Sequence, residues 1–130
     1  MTRADIRRLI EPFYKRVRAN PRLGPIFEGR IGVTDEEWAE HLATIEAFWS
    51  NVMLRERAYQ GNPMAVHLSV PEIRGEDFEI WLDLFEETAK EVLPEAKAAA
   101  FTILSRRIGA SLRMGVEQAR GGAVPRLRRA

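Results

Sequence analysis

The chain has 130 residues, 45% of them apolar and 30% charged, with a net charge of +1 and no cysteine. That describes one globular domain, able to bury roughly two-thirds of its unfolded surface. The missing cysteines exclude disulfides, thiolate-bound zinc, iron–sulfur clusters and cysteine nucleophiles, and suit a reducing cytoplasm. The start, MTRADIRRLIEPF, carries Asp5 and Glu11 and no signal-peptide apolar run, and no window reaches the ~20 apolar residues of a membrane span.

In chain order, Ile6, Leu9, Ile10, Phe13 and Val17 recur at helical spacing and predict a helix over 4–19, with Pro12 a candidate bend. Asn20-Pro21 opens a short element expected to turn at Gly24-Pro25 and again between Gly29 and Gly32. Thr34 and Glu37 have capping-box spacing and start a helix that should bury Trp38, Leu42, Ile45, Phe48 or Trp49, and Val52.

The next segment, YQGNPMAVHLSVP, is unusual. Asn62 can cap a helix whose first residue is Pro63, and Pro71 closes it, which leaves about two turns. Isolated helices below ~12–15 residues are marginal in water, so something outside must hold this one. Its one strongly directional side chain is His67. A turn around Gly75 follows, then a helix marked by Phe78, Trp81, Leu82, Phe85 and Ala89. The last helix, from Pro94 to Arg120, carries Ala98, Phe101, Leu104, Ile108 and Leu112 and stops at Gly121-Gly122. The final eleven residues hold four arginines and no acid, so they carry +4 and residues 1–119 carry −3. We read them as a solvated basic tail over 121–130 rather than a binder of nucleic acid or lipid. No stretch alternates with period two, so the expected class is all-α, with helices of unequal length crossing one another.

Only two histidines are present, His41 and His67, each among apolar neighbours. A carboxylate-bridged metal pair in a bundle uses Glu-x-x-His motifs, but Trp38 and Met64 occupy the positions three before each histidine. A zinc site needs three protein ligands, and His67 has no acid within four residues. A haem needs one axial imidazole, an apolar slot with flat walls and a distal side polar at one or two points. The aromatic inventory (Phe13, Phe27, Phe48, Trp49, Phe78, Trp81, Phe85) could supply such walls or be plain core. Two readings without haem stay open: an all-α interaction module with buried structural histidines, and a small helical enzyme or metal protein.

The strings FYKRVRANPRLGPIF, WAEHLATIEAFWSNVM, YQGNPMAVH and FEIWLDLFEET, in this order and spacing, resemble the truncated haemoglobins, and specifically their third group. The likeness runs from about Ile10 to Arg113, and the glycine pairs of the other groups are missing near residues 4–10 and 55–65. The resemblance implies a shortened globin fold over residues 1–120 whose helices clamp a b-type haem. It implies His67 as the proximal iron ligand and Phe27 against the haem face. It implies Tyr14, His41 and Trp81 on the distal side, with Ile45 beside them. Met64 and Phe48 are expected at the haem, and Val66 and Leu68 beside it, so that iron and haem would hold the short helix. Cations for the propionates are sought among Arg55, Arg57 and Tyr59.

The expected function is reversible binding of oxygen, carbon monoxide and nitric oxide. Two distal hydrogen-bond donors suit oxygen, nitric oxide or peroxide redox chemistry better than bulk transport. Turnover of that kind would call for a reductase. Neither nucleic acid nor a membrane is expected as partner, the location is expected to be cytoplasmic, and the assembly a monomer or weak dimer.

Overall fold

The computed structural model describes residues 1–121, so the basic tail, apart from Gly121, lies outside the described residues. Six helices follow one another: α1 (Arg3–Ala19), α2 (Leu23–Ile31), α3 (Asp35–Leu54), α4 (Pro63–Leu68), α5 (Gly75–Val92) and α6 (Glu95–Ala119). No strand occurs among the described residues, and none of these helices is long and apolar enough to cross a membrane.

Helix α1 is the hub, packed on α2, α3 and α5. Its start is a capping box: Asp5 N donates to Thr2 Oγ1 at 3.2 Å, and Thr2 N donates to Asp5 Oδ2 at 2.9 Å. Lys97 Nζ joins that carboxylate at 3.0 Å and fastens α1 to the start of α6. The apolar face is completely enclosed, since Ile6, Leu9, Ile10, Phe13 and Val17 are each at most 1% exposed. Each such side chain contributes about 1.5–3 kcal/mol by leaving water. Pro12 does not break the helix. It deprives the carbonyl of Arg8 of its helical donor, and Arg8 is exposed, so water can take over that bond.

Helix α2 corrects the expectation of turns at Gly24-Pro25 and Gly29, because it runs unbroken from Leu23 to Ile31. Pro25 falls on the third helical position, where an N–H has no intrahelical partner to lose. Asn20 prepares the start by accepting from the amides of Arg22 and Leu23, both at 2.9 Å. The true stop is Gly32, whose φ of +117° few L-residues tolerate. Thr34 and Glu37 then open α3 with the expected capping box.

Helices α5 and α6 form the most extensive pairing. At its centre Phe85 and Phe101 are fully buried. Trp81 and Trp49 both stack on Phe85, Trp81 at 5.1 Å and 9° and Trp49 at 5.4 Å and 15°. On α3, Trp49 is the buried member of the Phe48–Trp49 pair, while Leu42, Ile45, Phe48 and Val52 are only partly covered. The reason is the layout: α3 lies on α1 and α2, α4 lies on α6 alone, and no Cα of α3 comes within 8 Å of one in α4. The helix of His41 and the helix of His67 therefore stand apart, with a gap of more than 8 Å between their Cα atoms.

Candidate functional site

His67 sits on α4, whose start is built as the sequence suggests. Asn62 Oδ1 accepts from Ala65 N at 3.1 Å and Pro63 is the first helical residue. The His67 ring lies over Phe78 of α5 at 5.8 Å and 28°. Its Nδ1 meets the carbonyl oxygen of Pro63, one turn back, at 2.6 Å. A carbonyl can only accept, so Nδ1 carries a proton, and the neutral ring with this bond keeps its lone pair on Nε2, the tautomer suited to metal ligation.

The short helix is held differently from the sequence expectation that placed Met64, Val66 and Leu68 together at the haem. The Met64 thioether lies directly over Gly115 of α6, at a place where any Cβ would collide with it. Val66 is 42% and Leu68 40% exposed. Met64 thus anchors α4 to α6, and the other two cover little.

On the far side of the gap a second group gathers around Tyr14, which is 4% exposed. Its ring contacts Phe13 at 4.8 Å, Phe27 at 6.0 Å and His41 at 5.2 Å, the last at 88°. Trp81 enters through Phe13, at 5.0 Å. Burial pushes the Tyr14 phenol above its ordinary pKa, and the indole N–H of Trp81 beside it, as a hydrogen-bond donor, works in the opposite direction. Tyr14 is therefore a neutral hydroxyl at any physiological pH. His41 is wedged edge-on between Tyr14 and Trp38, the latter at 5.3 Å. Trp38 itself is fixed by donating Nε1–H to Gly32 O at 2.9 Å and by the Arg18 guanidinium, 4.5 Å above its ring.

Burial without a compensating charge lowers the His41 pKa to about 4, so its imidazole is neutral. Its Nε2 is buried with no hydrogen-bond partner. A buried polar atom left unpaired costs about 1–3 kcal/mol, and such atoms call for a partner. Ile45, one turn further along α3, is half-buried on the same side.

One turn of α5 separates Phe78, under His67, from Trp81, beside Tyr14. The loop between α3 and α4 joins the helix of His41 to the helix of His67. Phe48 meets Tyr59 edge-on at 5.4 Å, and burial raises the Tyr59 pKa. Arg55 and Arg57 are exposed and make no ion pair among the described residues. Sequence reasoning missed what orders this loop: Asn51 of α3 accepts from the amides of Ala58 (2.8 Å) and Tyr59 (3.1 Å) and donates to Tyr59 O (3.1 Å). Arg3 adds bonds to Glu56 and Glu46. An asparagine in the last turn of a helix was the one available signal, since its side chain competes for backbone groups.

The expected residues thus fall into three groups: His67 and Phe78; Tyr14, Phe27, His41, Trp81 and Ile45; Phe48, Tyr59 and Arg57. Met64 alone turns to α6. No cluster of three or more His, Asp or Glu able to hold a metal occurs among the described residues.

No protein-family model matches the chain. It is 48% identical over 91 residues to the group 3 truncated hemoglobin ctb of Campylobacter jejuni, an alignment covering 70% of this chain and 72% of that protein. The crystal structure of the group III truncated hemoglobin from Campylobacter jejuni superposes with a TM-score of 0.86 and 39% identity, covering 89% of this chain and 91% of the other. Sequence likeness at that level over most of both chains, together with the same arrangement of helices, leads to one conclusion: the chain belongs to the group III truncated haemoglobins.

Proposed function

We propose that this protein binds a b-type haem through His67 and uses it to bind oxygen and other diatomic gases reversibly, for redox chemistry of oxygen, nitric oxide or peroxide rather than bulk transport. The observation that carries the reading is the complementary state of the two histidines. One has its Nδ1 occupied and its Nε2 lone pair free, and the other is neutral with a buried, unpartnered Nε2 across a gap between helices. A haem fits these residues. It needs one imidazole on the proximal side, apolar walls such as Phe27, Ile45 and Phe48, and a polar group facing the gas.

When bound, the haem would supply an iron able to take up a diatomic gas and exchange electrons with it. The rest is done by residues of the chain. Tyr14 keeps its proton and can donate; Trp81 can only donate; His41, uncharged, donates or accepts according to tautomer. A gas that gains negative charge on binding is held by such donors, each contributing roughly 1.5–3 kcal/mol. Phe13, Phe27 and Trp38 exclude water from around them, which strengthens each bond. Arg57 and Tyr59, with Arg55 nearby, stand at the rim where propionates would need cations or donors. The globin domain in this reading is residues 1–120, and the absence of cysteine suits work in the cytoplasm. Turnover would draw electrons from a separate reductase.

The test is haem titration followed by absorption spectroscopy. The purified protein should give an intense Soret band with one haem per chain. His67→Ala should lose the histidine-ligated spectrum and destabilise α4, while His41→Ala should keep haem. A protein without a Soret band, or one emptied by His41→Ala and unaffected by His67→Ala, would overturn the proposal.

A further inference from the structure

The connector from Ser69 to Arg74 leaves α4 directly after His67 and leads into α5. It belongs to no helix, yet arginines from elsewhere in the fold occupy three of its carbonyls. Arg120, at the end of α6, donates Nη2–H to Val70 O at 2.8 Å and Nη1–H to Ile73 O at 2.9 Å. Arg22, just before α2, donates Nη2–H to Glu72 O at 2.9 Å. It also grips Asp77 with a fork, Nε to Oδ1 at 2.7 Å and Nη2 to Oδ2 at 2.9 Å. Burial alone would raise the Asp77 pKa, but the bonds from Arg22 and from the Arg74 amide outweigh it and the pKa is lowered, so the carboxylate stays charged and the grip persists.

The grip reaches His67 in one step. Val70, whose carbonyl Arg120 holds, donates its own N–H to His67 O at 3.2 Å. Ile73 N closes the turn on Val70 O, also at 3.2 Å. Helix α4 has few other determinants of its pitch. Its backbone approaches α6 alone, through Met64 over Gly115, the His67 ring adds one stack on Phe78 of α5, and Val66 and Leu68 are exposed. Six residues cannot hold a direction by themselves.

We propose that Arg120, supported by Arg22 from the opposite side, is a positioning residue for His67: through Val70 it sets the pitch of α4 and hence the direction of the imidazole Nε2. The inference rests on the reading of His67 as axial ligand. Arginine is the suitable residue because its planar fork serves two carbonyls with one fixed geometry, whereas lysine presents a compact point charge on a flexible stem.

The test compares Arg120→Gln and Arg120→Lys with the parent and with Arg106→Gln, which removes an α6 surface ion pair to Asp83 and Glu86 away from the connector. Two readouts are taken on the full chain: amide hydrogen exchange over residues 66–73, and the iron–histidine stretching band of the ferrous, haem-loaded protein. Arg120→Gln should speed exchange at Val70 and Ile73 by about tenfold. It should also shift or broaden the iron–histidine band. Arg120→Lys should fall between Gln and parent, and Arg106→Gln should change neither. Faster exchange with an unmoved band would make Arg120 a purely structural clamp and overturn the positioning role; unchanged exchange would overturn the clamp as well. A parent that shows no iron–histidine band would refute the axial assignment instead, and the exchange rates would still decide whether the clamp exists. Should Arg120→Gln fail to fold, the same two readouts on Arg120→Lys decide the matter.

Discussion

Acid should weaken this protein through one imidazole, and replacing His41 by leucine should remove that weakness. In the folded chain burial lowers the His41 pKa to about 4, from an ordinary 6.5. The unfolded chain therefore takes up its proton first as pH falls. The neutral histidine contributes its full stability above about pH 6.5 and loses it progressively towards pH 4. With those two values, linkage gives a loss of roughly 2 kcal/mol between pH 7.5 and pH 5. The depressed carboxylates Asp5, Glu37, Asp77 and Glu86 also lose stability in acid, but at lower pH and equally in both proteins. The assay is urea unfolding of wild type and His41→Leu at the two pH values, in chains freed of haem so that haem release does not contribute. Wild type should lose about 2 kcal/mol more than the variant, a relative midpoint shift of the order of 1 M urea. Near neutrality the variant should be as stable as wild type or more so, because it deletes an unpaired buried nitrogen. Parallel losses in the two proteins would show that His41 titrates normally and that its burial has been misjudged.

Tyr14→Phe should speed oxygen release from the haem-loaded protein by roughly ten- to a hundredfold, the equivalent of one bond of about 1.5–3 kcal/mol, with Trp81→Phe acting in the same direction. Carbon monoxide gains much less charge on binding and should be released at nearly the same rate, so stopped-flow traces accelerated equally for both gases would mean steric gating instead. Gly115→Leu should push Met64 off α6 and cost about 1–3 kcal/mol in thermal unfolding. Its effect should be concentrated in faster amide exchange of α4, and a uniform effect on all helices would contradict the anchoring role of Met64.

Elements whose cause lies within a few residues were legible in the amino-acid order. The apolar period of α1 and α5, the capping box at Thr34 and the Asn62-Pro63 start of α4 all reappear in the structure. Where local signals misled, the position within the element decided. Pro25 reads as a breaker but stands in the first turn of α2, and Pro12 sits where a lost bond faces water. The all-α class and the family likeness were readable too, because helical period and spaced motifs survive without any knowledge of contacts. The clamps were not. Arg120 meets the connector across 47 and 50 residues, and Arg22 meets Asp77 across 55. A surface arginine bound to a distant carbonyl looks, in sequence, like any other arginine. The orphaned Nε2 of His41 was hidden for the same reason, since its burial depends on Tyr14 arriving from another helix.

Helix α5 touches both sides of the gap, with Phe78 under one histidine and Trp81 beside the tyrosine of the other, three residues apart. Spacing along a helix is quantised: one residue more or less between them would swing the indole by about 100°. That stretch can therefore drift by substitution but not by insertion or deletion, unlike the connectors on either side of it. It also ties together two properties that could otherwise vary separately. Any tilt of α5 that alters the support of His67 also displaces the donor at Tyr14, so under the proposed function the strength of axial ligation and the hold on a bound gas would be inherited as one trait. Altering either alone would require changes on α1, α3 or α4, where the two sides do not share a backbone.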